Sequence, residues 1–249
     1  MITSKEPDSW QDLQNQVARV LEECGFEVDV EKKIETVRGE VELDVYAEEV
    51  IKGRKYSIAV ECKNWSNNIP QHVVHSFRTV VADLGINAGY IVAKTGFQSG
   101  AFSAADLTNI ELLTWSDFQA QFFESWYETY FTNMVAEKLD GLITYSEPFL
   151  PPWFEAMKEN DKNLYLGYKQ QFDVFGMVMQ SMGPWSRTLK PNEIAELPLI
   201  GRLAPGKERN TIPDEILNES YYREFLDRAI QYGEYAVSKF RELRDKYKA

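Results

Sequence analysis

The sequence predicts an α/β protein: a layered α/β sandwich, followed by a mostly helical region. In the first 119 residues, helix-like and strand-like apolar spacings occur in the order αβββαβαβ, which favours a sandwich over a repeating βαβ array. From about residue 120 the spacing is almost entirely helical. The 249 residues, 44% of them hydrophobic, can fill a core in each part. We therefore expect one domain at 1–119 and a helical accessory domain at 120–249.

The first expected element is an amphipathic helix that begins at Ser9. Ser9 and Asp12 make a capping-box-like start, and apolar residues then recur at helical spacing until Gly25. Three strand-like segments follow, at 26–37, 41–47 and 56–63. The last two are joined by a charged loop that contains glycine, so the three segments predict an antiparallel meander.

Helices and short strands alternate in the rest of the first domain. Pro70 suits a first helical turn, and one apolar face continues from there to Gly85. The elements that follow are a buried strand at 89–93, an alanine-rich helix at 99–107, a strand at 110–114 and a helix from Ser116.

Beyond residue 120, aromatic and apolar residues at helical spacing predict helices around 122–131, 164–182 and 212–249. Proline and glycine make 183–210 irregular. The aromatic stripe from Phe118 to Phe131 is typical of a packed core or a dimer interface. A base-stacking surface is the alternative interpretation.

The formal net charge of −12 counts against a protein that coats nucleic acid by bulk attraction, because phosphate affinity comes largely from Lys and Arg. A local basic surface, metal-bridged phosphates or an oligomer remain open. The N-terminal MITSKEPDSWQDL has no apolar run typical of a signal peptide, and no segment approaches the roughly 18 apolar residues of a membrane span. We expect a cytoplasmic protein with no membrane partner.

The residues best suited to chemistry lie on two strands of the meander. In IAVECKNW, strand alternation puts Glu61 and Lys63 together on one face. In GEVELDVYA, the same rule puts Glu40, Glu42 and Asp44 on one face. Because a hairpin makes the two strands neighbours, Asp44 is expected beside Glu61.

Two carboxylates at one position repel each other, and a hard divalent cation relieves the repulsion by taking several oxygen ligands. Mg²⁺ is the expected cofactor, with Mn²⁺ as its expected substitute. Such a metal activates water for attack on a phosphate, and a nearby lysine stabilises the developing charge, which indicates phosphodiester hydrolysis. The alternative is a solvated sheet face with cross-strand ion pairs.

A resemblance favours the first interpretation. Six segments follow one another over about residues 9–119: QDLQNQVARVLEECGF, RGEVELDVYA, AVECKNW, VVHSFRTVVADLGINAG, YIVAKTGFQSGAFSAA and IELLTWSDF. In this order they resemble the PD-(D/E)XK nuclease superfamily and, within it, the Mrr-like restriction endonucleases. The resemblance implies a restriction-endonuclease-like α/β/α sandwich with a central mixed sheet.

The resemblance also implies roles for individual residues. Asp44 matches the metal-binding aspartate of the family, Glu61 its second acidic ligand and Lys63 its lysine. The backbone carbonyl of Cys62 is a further metal ligand on this comparison.

One position departs from the pattern. Related proteins often carry a glutamate on the first helix, where this chain has Gln14, whose neutral amide is a poorer cation ligand. Glu42 either supplies the missing charge or is a surface carboxylate near the substrate.

Two groups of residues are candidates for nucleic-acid contact. Lys94, Thr95 and Gln98 follow a buried strand and open a helix, a setting that can receive a phosphate, although plain turn chemistry looks the same. The second group clusters at the hairpin between the two site strands, where a solvated tip is the alternative; it consists of Lys52, Arg54 and Lys55. His72 and His75, one helical turn apart, fall short of a zinc site.

The resemblance thus implies an endonuclease that hydrolyses DNA with Mg²⁺ in restriction or antiviral defence. The expected partners are DNA and, in addition, a second copy of the chain or a defence-system protein, with the helical region serving recognition, oligomerisation or regulation. Two alternatives stay open. One is a catalytically weak or inactive nuclease-fold module that binds nucleic acid, and the other is a nuclease for RNA or for branched or single-stranded DNA.

Overall fold

The elements of the first part follow the predicted order. The computed structural model describes residues 1–189, 193–207 and 209–247, without the side chain of Arg187. One compact unit spans Lys5–Trp126. Its elements are α1 (Trp10–Glu23), β1 (Glu27–Thr36), β2 (Gly39–Ile51), β3 (Arg54–Lys63), α2 (Gln71–Leu84), β4 (Ala88–Ala93), α3 (Ser99–Ala105), β5 (Ile110–Thr114) and α4 (Trp115–Trp126).

The five strands form one mixed sheet in the order β1-β2-β3-β4-β5. The first three are antiparallel, as the meander predicted, whereas β4 and β5 run parallel to β3. Lys52 and Gly53 both have positive φ, 51° and 79°, which is typical of the two-residue turn that joins tightly paired strands. The predicted fold class is confirmed.

Helices cover both faces of the sheet. Ser9 caps α1, since its hydroxyl accepts the N–H of Asp12 at 3.0 Å. On one face, Phe77 of α2 shares a core cluster with Ala59 of β3. On the other, the ring of Tyr90 on β4 meets Phe122 of α4 edge to face, with centroids 5.6 Å apart. A side chain on β3 therefore faces either α2 or α4, according to its parity.

A second compact unit combines Met1–Ser4 with Tyr127–Ala249. Its elements are a π-helical turn (Tyr127–Phe131), α5 (Thr132–Ser146), α6 (Glu159–Met182), α7 (Pro184–Leu189), α8 (Asp214–Leu217) and α9 (Tyr222–Asp245). A side chain at Gly176 of α6 would overlap Ser146 of α5, and one at Gly233 of α9 would overlap Leu139. These two glycines let α6 and α9 approach α5 closely.

The segment predicted to be irregular, 183–210, contains a short helix. Pro184 opens α7 because its fixed φ suits a first helical turn. Residues 190–192 and 208 of this segment, and the end of the last predicted helix at 248–249, lie outside the described residues. Within the described ranges, every helix is too short or too polar to span a membrane.

Glu224 holds the N-terminal segment against the start of α9. One of its carboxylate oxygens accepts hydrogen bonds from the hydroxyl of Thr3 at 2.6 Å and the N–H of Ser4 at 3.0 Å. Burial raises the pKa of Glu224, but the hydrogen bonds outweigh it, and the pKa is lowered. The ionised carboxylate therefore stabilises the second unit.

We expect Glu224→Gln to lower the free energy of unfolding at neutral pH by about 1 kcal/mol, after allowance for solvent screening. Because the folded-state pKa is lowered, this stabilisation is present above the pKa of glutamate in the unfolded chain and is lost as the pH falls through the folded-state value. Urea unfolding at pH 7 and pH 3 measures it, with exposed Glu234→Gln as the control. A difference independent of pH would contradict the assignment.

Candidate active site

The residues predicted to form the site meet where β2 and β3 separate. The ladder between these strands runs from Ile51 and Arg54 to Val45 and Val60. At the next position, the carboxylate of Asp44 accepts the backbone N–H of Cys62 at 2.6 Å. Beyond the last backbone pair, a hydrogen bond to the side chain of Asp44 thus joins the end of β2 to β3.

An irregularity in β2, rather than simple alternation, positions Asp44. Leu43 and Tyr46 belong to one core cluster, although strict alternation would put residues three apart on opposite faces. The ladder between β1 and β2 skips Glu31 and Asp44, and Glu31 has a φ of 54°. The pleat is locally broken at this pair, so the predicted regular alternation from Glu40 to Val45 does not continue through the strand.

Strand β3 is regular, and Glu61 and Lys63 share a face as predicted. They pair with Ile91 and Ala93 of β4, which belong to the core cluster under α2. The ammonium of Lys63 contacts a carboxylate oxygen of Glu61 directly, and the two side chains are 17% and 23% exposed. A mostly desolvated ion pair therefore lies on the face that α2 covers.

The charge of Asp44 is poorly compensated. Burial raises its pKa, the negative charge of Glu61 raises it further, and the N–H of Cys62, the ammonium of Lys63 and the indole of Trp10 offset this only in part. Asp44 and Glu61 are thus close enough to repel each other. Two carboxylates and one ammonium leave a net negative charge that a cation would relieve.

The donor set suits a hard divalent cation. Among the described residues, no group of three or more His, Cys, Asp and Glu side chains is placed to hold a metal ion. Two carboxylates are nevertheless the usual protein contribution to Mg²⁺, which completes its shell with waters and substrate oxygens. In a strand, the N–H and C=O of one residue point to the same side, so the carbonyl of Cys62 is directed toward Asp44.

The two accessory candidates are placed differently. Gln14 is 2% exposed on α1, and its amide nitrogen lies 3.5 Å from the backbone carbonyl oxygen of Asp44, at the limit of a hydrogen bond. Glu42 lies 3.7 Å from the ammonium of Lys33 and lines the same cavity as Glu61. Gln14 therefore supports the backbone of Asp44, whereas Glu42 adds negative charge to the cavity.

The predicted phosphate-contact loop lies at the same end of the sheet as Lys63. The N–H of Lys94 donates to the carbonyl of Lys63 at 3.0 Å. The hydroxyl of Thr95 donates to the carbonyl of Asn67 at 3.1 Å, and Gln98 is the N-cap of α3. This loop therefore adjoins the end of β3 that carries Lys63, and a phosphate contact there stays a prediction.

The basic hairpin tip lies at the opposite end of β3. Glu61 lies seven positions after Arg54 in β3, which at ~3.3 Å per residue corresponds to roughly 23 Å. Lys55 also pairs with Glu48 at 2.5 Å. The structure therefore does not bring Lys52, Arg54 and Lys55 to the carboxylates, and a role for them in nucleic-acid contact stays a prediction.

Sequence reasoning did not assign a role to Trp65. This residue is 44% exposed just beyond β3, and the ammonium of Lys63 lies 5.8 Å from the centroid of its ring. Trp65 lines the cavity that contains Glu61 and Lys63. The available signal was parity, since 61, 63 and 65 continue one alternating series.

A family model and two solved structures are similar to this chain. The restriction endonuclease family model Mrr_cat matches residues 8–132. A comparison with curated proteins found no match. Among solved structures, a protein of unknown function, AF1548, covers 92% of this chain and 99% of its own at 16% identity and a TM-score of 0.39. The DNA modification-dependent restriction endonuclease AspBHI covers 47% of this chain and 37% of its own at 14% identity and a TM-score of 0.30.

Likenesses at these TM-scores are too weak to bear on function. The family match, by contrast, spans half of the chain and includes the whole sheet with the carboxylates and the lysine. A nuclease of restriction type is the function that this match supports. The resemblance predicted from the sequence is confirmed, and the chain belongs to the Mrr-type restriction endonuclease family.

Proposed function

We propose that the protein is a metal-dependent endonuclease that hydrolyses the phosphodiester bonds of DNA at Asp44, Glu61 and Lys63. The observation that carries this proposal is the convergence of these side chains where β2 and β3 separate. There, the charges of Glu61 and Lys63 both shift the pKa of Asp44. Family membership supplies the class of reaction. The residues, the cofactor and the substrate are the content of the proposal.

Asp44 and Glu61 would hold Mg²⁺, or Mn²⁺ in its place, with the carbonyl of Cys62 as a third ligand. These donors are all hard oxygens, which suit either ion. When bound, the ion supplies Lewis acidity, which acidifies water and offsets the charge of the phosphate.

Lys63 provides a cation at the reacting phosphate. Its ammonium donates hydrogen bonds to the attacking water or to a non-bridging phosphate oxygen, and it stabilises the negative charge of the transition state. The water oxygen forms a new bond to phosphorus as the water releases one proton to solvent. The ester P–O bond breaks, and the released oxygen takes up a proton from solvent. Asp44 remains anchored by the N–H of Cys62, which fixes its position relative to Glu61.

The wider role proposed is cleavage of foreign DNA, as in restriction and antiviral defence. The nuclease domain would occupy residues 1–119, and the helical domain at 120–249 would recognise substrate, regulate activity or form a homodimer or a contact with a defence-system protein. The match to the restriction endonuclease family model is the observation that supports this role.

A catalytically weak or inactive module that binds nucleic acid is the second candidate function. Gln14 is the observation that favours it, because a neutral amide lies beside Asp44 where related proteins often carry a glutamate. The intact Asp44, Glu61 and Lys63 favour the catalytic proposal.

Removal of either charge of the ion pair should abolish most cleavage. We expect Lys63→Ala and Glu61→Gln each to lower the rate of plasmid nicking in Mg²⁺ by about 10²–10³-fold, because each removes electrostatic stabilisation at the phosphate. Lys5→Ala, a mostly exposed lysine paired with Asp12, is the matched control. EDTA should stop cleavage by the wild type.

Plasmid, linear and single-stranded DNA and RNA should be compared in the same assay. Metal-dependent cleavage at equal rates by wild type and Lys63→Ala would sink the site assignment. Cleavage of RNA alone would contradict DNA as the substrate and establish the protein as a ribonuclease. Binding without cleavage of any substrate would establish the second candidate function.

Asp44→Asn should be inactive and yet more stable than the wild type without metal. Burial and Glu61 raise the pKa of Asp44, so ionisation destabilises the fold as the pH rises through that pKa, whereas asparagine keeps the acceptor for Cys62 without the charge. In EDTA, the melting temperature of the variant should exceed that of the wild type at pH 8. The difference should vanish below about pH 4, near the pKa of an unfolded aspartate.

Thermal melts across this pH range measure the effect, with exposed Asp29→Asn as the control. If Asp44→Asn melts below the wild type at pH 8, repulsion at Asp44 is not a significant cost to the fold.

Gln14→Glu should tighten metal binding and destabilise the metal-free protein. The variant places a third carboxylate beside Asp44, which adds a hard ligand for a cation and adds repulsion when no cation is bound. Calorimetric titration with Mn²⁺ and thermal melts in EDTA measure the two effects. Gln11→Glu, on the exposed side of the same helix, is the matched control. Equal Mn²⁺ affinity in both variants would show that the side chain at position 14 does not contribute to metal binding.

A further inference from the structure

A cavity of about 450 Å³ opens beside Glu61 and Lys63, within the Lys5–Trp126 unit. Its apolar walls come from β2 and α2 and include Val41, Leu43, Val73, Phe77 and Val80. This volume falls in the range of about 300–1,000 Å³ that is typical of small-molecule sites, which are also mostly apolar. A cavity with such walls suits a flat organic group better than a phosphate.

Trp65 forms the outer wall of this cavity. Almost half of its side chain is exposed, although a tryptophan gains much by burial. The ammonium of Lys63 lies 5.8 Å from its ring centroid. Sites for single-stranded nucleic acid use this combination, in which cations contact the phosphates and an exposed aromatic ring stacks on a base.

Polar groups lie at the rim of the cavity. The hydroxyl of Ser76 donates to the carbonyl of His72 at 3.0 Å, so its lone pairs are directed away from the helix. The imidazole of His72 and the carboxylate of Glu42 also line the opening. A nucleobase has apolar faces and polar edges, and these walls and rim present the matching surfaces.

We propose that this cavity is a nucleobase subsite for an unpaired base of the nucleotide next to the cleaved phosphate. Trp65 stacks on the base, and Ser76 and His72 contact its edge. The inference rests on the proposed function, because a phosphate at Lys63 places its own nucleotide at the mouth of the cavity. A base paired within a duplex is stacked between its neighbours and cannot enter.

The subsite has a consequence for the substrate. Single-stranded, mismatched or flapped DNA supplies an unpaired base without the cost of extrusion, whereas a perfect duplex must first unstack one. The protein should therefore bind single strands more tightly than duplexes of the same sequence. Trp65 and the open cavity are the source of that preference.

The test is a binding measurement in EDTA, where cleavage does not occur. Fluorescence anisotropy compares a labelled single strand with its perfect duplex. Trp65→Ala should weaken single-strand binding about tenfold, the order expected for one lost base–aromatic stack, and should leave duplex binding within about twofold. The matched control is Phe102→Ala, an exposed aromatic of the same unit outside this cavity.

A second pair of variants tests the space itself. Ser76→Phe fills the cavity from the exposed surface of α2 and should reproduce the loss, whereas Ser103→Phe on the surface of α3 should bind as the wild type does. Wild-type binding by both Trp65→Ala and Ser76→Phe would overturn the subsite. Equal losses on single strand and duplex would overturn it too, as would the absence of single-strand binding by the wild type.

The outcome also separates the subsite from the proposed function. A selective loss of single-strand binding in Trp65→Ala, with no cleavage by the wild type in Mg²⁺ or Mn²⁺, supports the subsite and overturns the nuclease proposal. Metal-dependent cleavage that needs Lys63, together with wild-type binding by Trp65→Ala and Ser76→Phe, supports the nuclease and overturns the subsite.

Discussion

The hydrogen bond from the backbone N–H of Cys62 to the carboxylate of Asp44 joins β2 to β3 where their ladder ends. Cys62 is fully buried, and a buried N–H without an acceptor would cost about 1–3 kcal/mol. The carboxyl group of Asp44 therefore accepts the hydrogen bond that a backbone carbonyl accepts elsewhere in the sheet. Because the same carboxylate lies beside Glu61, the end of the sheet and the proposed metal site depend on one interaction.

This arrangement leaves the charge of Asp44 poorly compensated in a partly buried site. The N–H of Cys62 and the ammonium of Lys63 stabilise the ionised form of Asp44, but burial and Glu61 act against it more strongly. Lys63 is shared, since it contacts Glu61 and also lies near Trp65. Neither carboxylate has a counterion to itself. Such sites are characteristic of function rather than of stability, because a hydrophobic pair would stabilise the fold as well or better.

Much of the nuclease unit could be predicted from the sequence because its signals are local. The cap at Ser9, the glycine at the hairpin tip and the alternation through Glu61 and Lys63 each involve a few neighbouring residues. The proximity of Asp44 to Glu61 was expected from the hairpin, but the local geometry that produces it could not be predicted from alternation. It depends on a break in the pleat, where Glu31 of a different strand adopts a left-handed φ and the ladder skips both residues.

Distance along a strand limits what sequence proximity can predict. The hairpin tip at Lys52 and Arg54 adjoins both site strands in sequence, but it lies at the far end of β3 from Glu61. Lys94 is distant in sequence, yet the parallel pairing of β4 with β3 brings it beside Lys63. Trp65 was missed for a similar reason. Parity with Glu61 and Lys63 indicated only its face, whereas its place in a cavity depends on α2, which forms another wall.

The net charge of −12 becomes consistent with nucleic-acid binding once these features are combined. Bulk attraction to phosphates requires many Lys and Arg side chains, and this chain has an excess of carboxylates. Stacking of a base on Trp65 does not depend on net charge, and each such stack contributes roughly 1–3 kcal/mol. A cation between Asp44 and Glu61 would also reverse the local charge at the point where the phosphate must lie. An acidic protein can then bind DNA locally, at one nucleotide, without a basic surface along the strand.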